Sequence, residues 1–314
     1  MIRKVRQALG LCFPEYGRLR TVLMHTPGNE LELVRPTTYE RYLFADAVDP
    51  EHFRADHDRF VSVLRSEGVN VILLSEILRG HSLLSSAERS PNLVYVRDTA
   101  AVTRAGYVLA RMKNPVRRSE MKIVEAALDQ LAIPTLMKAR APATIEGGDL
   151  VFLDDDTVLA GTGNRTNRTG LLQLMAAATK SGLRRLVAIP LPPWVIHLDG
   201  TMMVIDRDLA VVHERSLAGT ASIFEDGRLS RRLKFLQFLK AIGMRLVEVT
   251  DYERQRRATN LIAIRPRKVV GYAGNARVKR ELSQNGVDLV EIEEAELIRG
   301  FGGPRCMTMP ILRD

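Results

Sequence analysis

A recurring order of strand, strand, helix and strand restricts this chain's fold more than any other feature. The hydrophobic pattern predicts a strand at Asn92–Val96, a partner at Tyr107–Arg111, a helix over Glu120–Leu131 and a strand at Ile133–Met137. The same order returns with strands at Leu150–Leu153 and Thr157–Ala160, a helix over Leu171–Lys180 and a strand at Leu186–Ile189. A third copy has strands at Met202–Ile205 and Leu209–Val212, a helix over Arg231–Ile242 and a strand at Arg245–Val249. The fourth has Leu261–Ile264, Val269–Gly271, a helix over Arg277–Ser283 and Val287–Ile292. A period of roughly 50 to 60 residues marks radial or stacked architecture. The two ends supply a fifth unit if Met307–Leu312 pairs with Arg20–His25, ahead of a helix at His52–Glu67 and a strand at Val69–Leu74. That pairing would close a ring and remove exposed sheet edges. We therefore expect one α/β domain over residues 1–314, a pseudo-symmetric five-bladed propeller closed by its terminal strands. An open doubly wound sheet is the alternative, but its glycine-rich strand-to-helix turns are missing.

Composition narrows the class. In 314 residues, 46% hydrophobic and 26% charged, there is material for a sizeable core and no reason to expect disorder. No run of eighteen apolar residues occurs, and Met1–Gly10 is basic without an apolar leader core, so we expect a cytoplasmic protein with no membrane partner. In such a compartment Cys12 and Cys306 are expected as free thiols. The formal charge of +9 raises nucleic acid as a partner. Scattered arginines and 5% aromatic residues argue against it, and attraction of small anions explains the charge more simply.

Equivalent positions of a radial repeat face one axis. The units are entered through Asn92, with Asp98 leaving that strand, through Glu146-Gly147-Gly148-Asp149, through His197-Leu198-Asp199-Gly200, through Asn260 and through Cys306. A thiolate attacks an electrophilic carbon, an imidazole moves protons, and carboxylates hold a planar cation, for which a guanidinium is the best match. Arg305, beside Cys306, is expected to favour the thiolate, and Gly300, Gly302 and Gly303 to let backbone approach a bound molecule. Each polar residue alone has an ordinary structural explanation; Asp149, for instance, is suited to bracing the Gly-Gly turn. Their joint occurrence at matching unit positions points to a site. Paired zinc-ligand spacings and a Gly-x-Ser-x-Gly elbow are absent, so neither a metal nor a serine nucleophile is expected.

The blocks at Gly17–Leu31, Asn92–Asp98, Glu146–Asp149, His197–Asp199 and Gly302–Pro310 resemble those of the arginine deiminase branch of the guanidine-modifying, or amidinotransferase, superfamily. The resemblance implies a pentein-type α/β propeller that works without a cofactor. Its activity would be hydrolysis of a guanidino group, in arginine or a related small molecule, to a ureido product and ammonia through a covalent thiouronium-type intermediate. Position by position it implies Cys306 as nucleophile, His197 as acid and base, Glu146 and Asp98 as the carboxylates that orient the guanidinium, and Asp199 as a further partner. Asn92 and Arg165 match contacts to the amino-acid end of the substrate, and Asp149 is counted with the binding group. The oligomeric state stays open, a homo-oligomer included, as do the roles of Cys12 and His25.

Two departures accompany the resemblance. Phe301 stands where the family carries a carboxylate-binding arginine, and too few residues separate Val69–Leu74 from Asp98 for the family's helical insertion. Either Arg299 or Arg305 supplies the missing cation, or the substrate is a modified or larger guanidino compound. An amidinotransferase is the alternative activity, although Glu146 in Glu-Gly-Gly-Asp favours a hydrolase. A basic binding protein with no catalysis is the third reading.

Overall fold

The computed structural model describes residues 14–314; Cys12 and the Met1–Gly10 segment lie outside the described residues. Within residues 14–314 the strands fall into five sheets. In the first, β1 (Leu19–Met24) runs parallel to β2 (Asn70–Leu73). Parallel neighbours need a crossover, and the helix Pro50–Ser66 provides it. Asp49 caps that helix by accepting from the backbone of Glu51 and His52, and Pro50 opens its first turn. Phe53, Phe60, Val61 and Leu64 form its buried face.

The other sheets repeat this plan of a hairpin, a helix and a parallel return. β3 (Ala100–Thr103) and β4 (Gly106–Leu109) are antiparallel, and β5 (Thr135–Lys138) returns parallel after the helix Glu120–Gln130. Next come β6 (Leu150–Phe152), β7 (Thr157–Thr162) and β8 (Arg185–Pro190) around the helix Arg168–Lys180. β9 (Met202–Asp206) and β10 (Leu209–Val212) come after them. A hairpin of β11 (Thr220–Glu225) and β12 (Arg228–Lys234) leaves this unit and joins the previous sheet along β8, making it five-stranded. The helix Phe235–Ala241 and β13 (Arg245–Glu248) complete the fourth sheet. β14 (Ile262–Arg265), β15 (Lys268–Tyr272) and β16 (Asp288–Ile292) enclose the helix Ala276–Gln284. The last strand, β17 (Met309–Arg313), pairs antiparallel with β1, with Leu19 opposite Arg313 and Leu23 opposite Met309.

Three sequence expectations are corrected. Asn92–Val96 is not a strand: residues 91–94 and 96–99 form two short 3-10 turns, and the strand begins at Ala100. The carbonyls of Asn92 and Tyr95 are taken by the guanidinium of Arg117, which leaves them unavailable to a ladder. Asp98 therefore enters a strand rather than leaving one. The helix expected from Arg231 begins only at Phe235, because Arg228–Lys234 pairs with β11.

Candidate active site

Short 3-10 turns at Val96–Thr99, Gly147–Asp149 and Leu198–Gly200 lead into the β3–β4, β6–β7 and β9–β10 hairpins. Each presents polar side chains at its sheet's entrance. Close packing of two of these turns depends on Gly148, where an added Cβ would lie 2.8 Å from both Asp98 Oδ1 and His197 Cγ. Glycine there lets the carboxylate and the ring approach across the turn. The glycines before Cys306 do not serve a ligand as expected. Cβ atoms at Gly300 and Gly302 would collide with the Tyr95 ring, and one at Gly303 would meet Asn260.

The buried polar groups meet in this way. His197 Nε2 and Glu146 Oε2 are 2.7 Å apart, and His197 Nδ1 lies 3.5 Å from Asp98 Oδ1. Burial opposes a charge on the ring, but Asp98, the Glu146 bond and Asp149 outweigh it and hold the His197 pKa up at about 9. Glu146 is also buried, which raises a carboxyl pKa, yet His197 and Arg165 pull it down to about 2. Its Oε1 accepts from the Lys113 backbone at 2.8 Å, and Arg165 Nη1 reaches Oε2 at 3.2 Å. Asp98 Oδ2 is held by Arg117 Nη1 at 2.5 Å. Its buried Oδ1 has no hydrogen-bond partner among the described residues.

Cys306 is 7% exposed. Asn260 Nδ2 donates to Sγ at 3.0 Å, and Sγ lies 3.4 Å from Asp199 Oδ2. Asn260 Oδ1 accepts the backbone N–H groups of both Arg305 and Cys306, which fixes the turn carrying the sulfur. The expectation that Arg305 favours a thiolate is overturned. Its guanidinium is fully buried against Glu15 at 2.6 Å and Asp199 at 2.8 Å. Burial, together with the fields of Asp199 and Asp98, pushes the Cys306 thiol well above its ordinary pKa.

The turns thus form two bonded groups, His197 with Glu146, Asp98 and Arg165, and Cys306 with Asp199 and Asn260, which meet where His197, Asp199 and Cys306 line one cavity. Asn92 is buried and joins the first group through its carbonyl, which accepts from Arg117 at 3.1 Å. Asp149 stands apart: Oδ2 accepts from the Thr166 hydroxyl at 2.6 Å and Oδ1 from the Leu198 backbone at 3.1 Å. Its carboxyl, raised by burial to about 7, braces the turns that carry Glu146 and His197, and the structure gives it this positioning place instead of a binding one. His25 is bonded to Glu30 at 2.8 Å. Arg117 is a neighbour of the site that the sequence reading does not name, and Asn260, named there only as a unit entrance, turns out to bond Cys306 directly. Asn260 occupies an entrance matching that of Cys306, whereas Arg117, one of many basic residues, carries no signal.

A cavity of about 550 Å³ opens onto His197, Asp199, Asn260 and Cys306, with Trp194, Arg254, Arg257, Arg299 and Phe301 also in its wall. Asp98, Glu146 and His197 offer ligand atoms within 4.8 Å of one another, so a metal ion is sterically conceivable there. The donors are already engaged, His197 Nε2 by Glu146 and the two carboxylates by Arg165 and Arg117. Such a set suits a planar cation that reaches the remaining oxygen of Asp98.

Fold and site together define a thiol and imidazole centre lined by carboxylates. The arginine deiminase family model matches residues 81–313, and the chain belongs to that family. It is 26% identical to an arginine deiminase of Listeria monocytogenes serotype 4b over 407 residues, covering 99% of each chain. To the arginine deiminase of Bacillus cytotoxicus it is 25% identical, covering 95% of this chain and 97% of that one. The Listeria alignment is longer than this chain, so that relative carries segments this one lacks, in keeping with the missing insertion. Among solved structures, dimethylarginine dimethylaminohydrolase from Pseudomonas aeruginosa, a mutant complexed with citrulline, has a TM-score of 0.71 at 20% identity over 93% of this chain and 99% of that one. The N-terminal domain of ArgZ, a cyanobacterial arginine dihydrolase bound to product, has a TM-score of 0.73 at 14% identity over 93% and 97%. These likenesses show a shared single-domain α/β fold.

Proposed function

We propose that this chain is a hydrolase of a guanidino group that releases ammonia and leaves a ureido product, citrulline where the substrate is arginine. One observation carries the reading: a buried thiol and an imidazole from separate sheets face one cavity, and Asp98 Oδ1, a carboxylate oxygen without a hydrogen bond, lies 3.5 Å from that imidazole. Family membership and the full-length similarity to arginine deiminases support it. We read the five sheets as the blades of a propeller, a single catalytic domain with β1 and β17 as its seam. No described helix is long and apolar enough to cross a membrane, and a free-thiol nucleophile suits a reducing cytoplasm.

The resting site holds a thiol, because the surrounding carboxylates oppose a second negative charge. A guanidinium entering between Asp98, Glu146 and Sγ reverses that field, and the thiol gives up its proton to solvent water on binding. The thiolate adds to the central guanidinium carbon. His197 is protonated at neutral pH, and its Nδ1, free of the Glu146 bond, faces the nitrogen that Asp98 Oδ1 would hold. It gives that nitrogen a proton, ammonia departs, and a cationic thiouronium remains. Water then attacks, the now neutral His197 takes one of its protons, and the carbon–sulfur bond breaks as the remaining hydroxyl proton passes to the sulfur, releasing the ureido product and restoring the thiol.

The test is ammonia and ureido product formation from a panel of guanidino compounds, with no amine acceptor added. Cys306→Ala should lose about 10³-fold or more in turnover while keeping its unfolding curve. Turnover that survives this substitution, or that requires an amine, would end the proposal.

A further inference from the structure

The cavity wall carries both signs of charge: Asp199 lines it beside Cys306 and His197, and Arg254, Arg257 and Arg299 line it with Phe301. Phe301 leaves the wall without the expected arginine, and neither suggested replacement is free. Arg305 is spent on Glu15 and Asp199, and Arg299 on Asp46, Glu296 and the Ala47 carbonyl. Arg165 is drawn inward to Glu146. Arg257 differs from all three. It lines the cavity with Cys306, its side chain makes no ion pair among the described residues, and its buried Nε has no hydrogen-bond partner. Its charge is close enough to the sulfur to interact with it, and burial lowers its pKa, so the cation is partly stripped of water without an anion in return.

The backbone fixes this arrangement. Arg257 (φ 58°) and Phe301 (φ 63°) both adopt the left-handed conformation that non-glycine residues seldom take. They meet with the guanidinium carbon 5.5 Å from the ring centroid. The Arg257 carbonyl accepts the Asn260 N–H at 2.9 Å, which couples this turn to the residue that donates to Cys306 Sγ. Arg254, whose buried Nε is also unpartnered, stands in the same wall. An aromatic face beside a cation holds the guanidinium flat and leaves its N–H edge for an oxyanion.

Resting on the guanidino-hydrolase reading, we propose that Arg257, stacked on Phe301, binds the anionic tail of the substrate and so selects guanidino carboxylates over guanidines without an acid group. The cation thus stands beside Phe301 instead of at its position.

Binding to the Cys306→Ser protein, which cannot turn over, separates the two claims. L-Arginine and 4-guanidinobutanoate would be compared with agmatine, which is arginine without its carboxylate, by calorimetry. At least one acid should bind about 10- to 100-fold more tightly than agmatine. Adding Arg257→Gln should bring that ratio close to 1, and Arg257→Lys should restore part of it. Equal weakening of acids and agmatine would show a merely structural role, and an unchanged ratio would show none; either overturns the proposal while the hydrolase reading stands. Binding of agmatine as tight as that of both acids to the parent protein overturns it too. If no guanidine binds at all, both fail.

Discussion

At the scale of single residues, burial and then Asp199 hold Cys306, the proposed nucleophile, in its thiol form. Asp199 Oδ2 is shared by the Arg305 guanidinium and the Cys306 sulfur, so its charge is partly neutralised yet still opposes a thiolate. Asp199→Asn removes that opposition. The Cys306 thiol should then react about tenfold faster with iodoacetamide near pH 8, although turnover falls with the loss of a guanidinium partner. Unchanged or slower labelling would count against the assignment. Glu146 acts on the imidazole with the opposite sign. The His197 pKa is raised to about 9, so the ring is charged throughout the neutral range and discharges only as the pH climbs toward that value. Glu146→Gln removes the nearest anion, and the alkaline limb of kcat/KM should move down from about 9 toward the ordinary histidine value. A limb that stays in place would assign it to another group.

At the scale of elements, the entrance turns decide the geometry, and Gly148 is their tightest point. A methyl group there must displace Asp98, His197 or both. Gly148→Ala should cost about 1–3 kcal/mol in urea unfolding and about 10²-fold in kcat, because the proton donor and the cation-binding oxygen move apart. Full activity in this variant would mean that the contact is slack. The turns also explain how much the sequence discloses. Buried strands such as β7 and β10 are apolar enough to be read directly, and Glu146, His197 and Cys306 stand out by recurring at unit entrances. The turn around Asn92–Asp98 reads falsely as a strand because its run is apolar while its carbonyls serve Arg117. The β11–β12 hairpin escapes the pattern because β12 is exposed along nearly all its length and lacks an apolar face. The available signal is Asp226-Gly227, both at positive φ, a turn chemistry typical of two-residue hairpins. Arg257 is illegible for a different reason: its importance lies in what fails to pair with it.

At the scale of the whole molecule, a buried charge cluster ties the terminal segments to the site. Glu15, ahead of β1, accepts from Arg305 at 2.6 Å and lies 4.0 Å from Arg97; Arg313, in the last strand, adds a third cation to its field. Arg305 passes the connection to Asp199 and hence to Cys306. Burial would raise the Glu15 carboxyl, but Arg305, Arg97 and Arg313 lower it to about 2. A depressed carboxyl pKa contributes stability that is fully present above its unfolded value near 4.5 and is lost as the pH falls toward 2, here on the order of 3 kcal/mol. Glu146 loses stability over the same interval, so the Glu15 share must be isolated by substitution. Glu15→Gln should destabilise the protein by about 3–5 kcal/mol at pH 7, since Arg305 keeps Asp199 as its one carboxylate partner and Arg97 loses its nearest anion. The difference between the two proteins should then shrink as the pH is lowered from 4.5 to 2 in urea titrations. A difference that persists unchanged through that range would show that Glu15 contributes packing alone, and that the link from the segment before β1 to the thiol is not electrostatic.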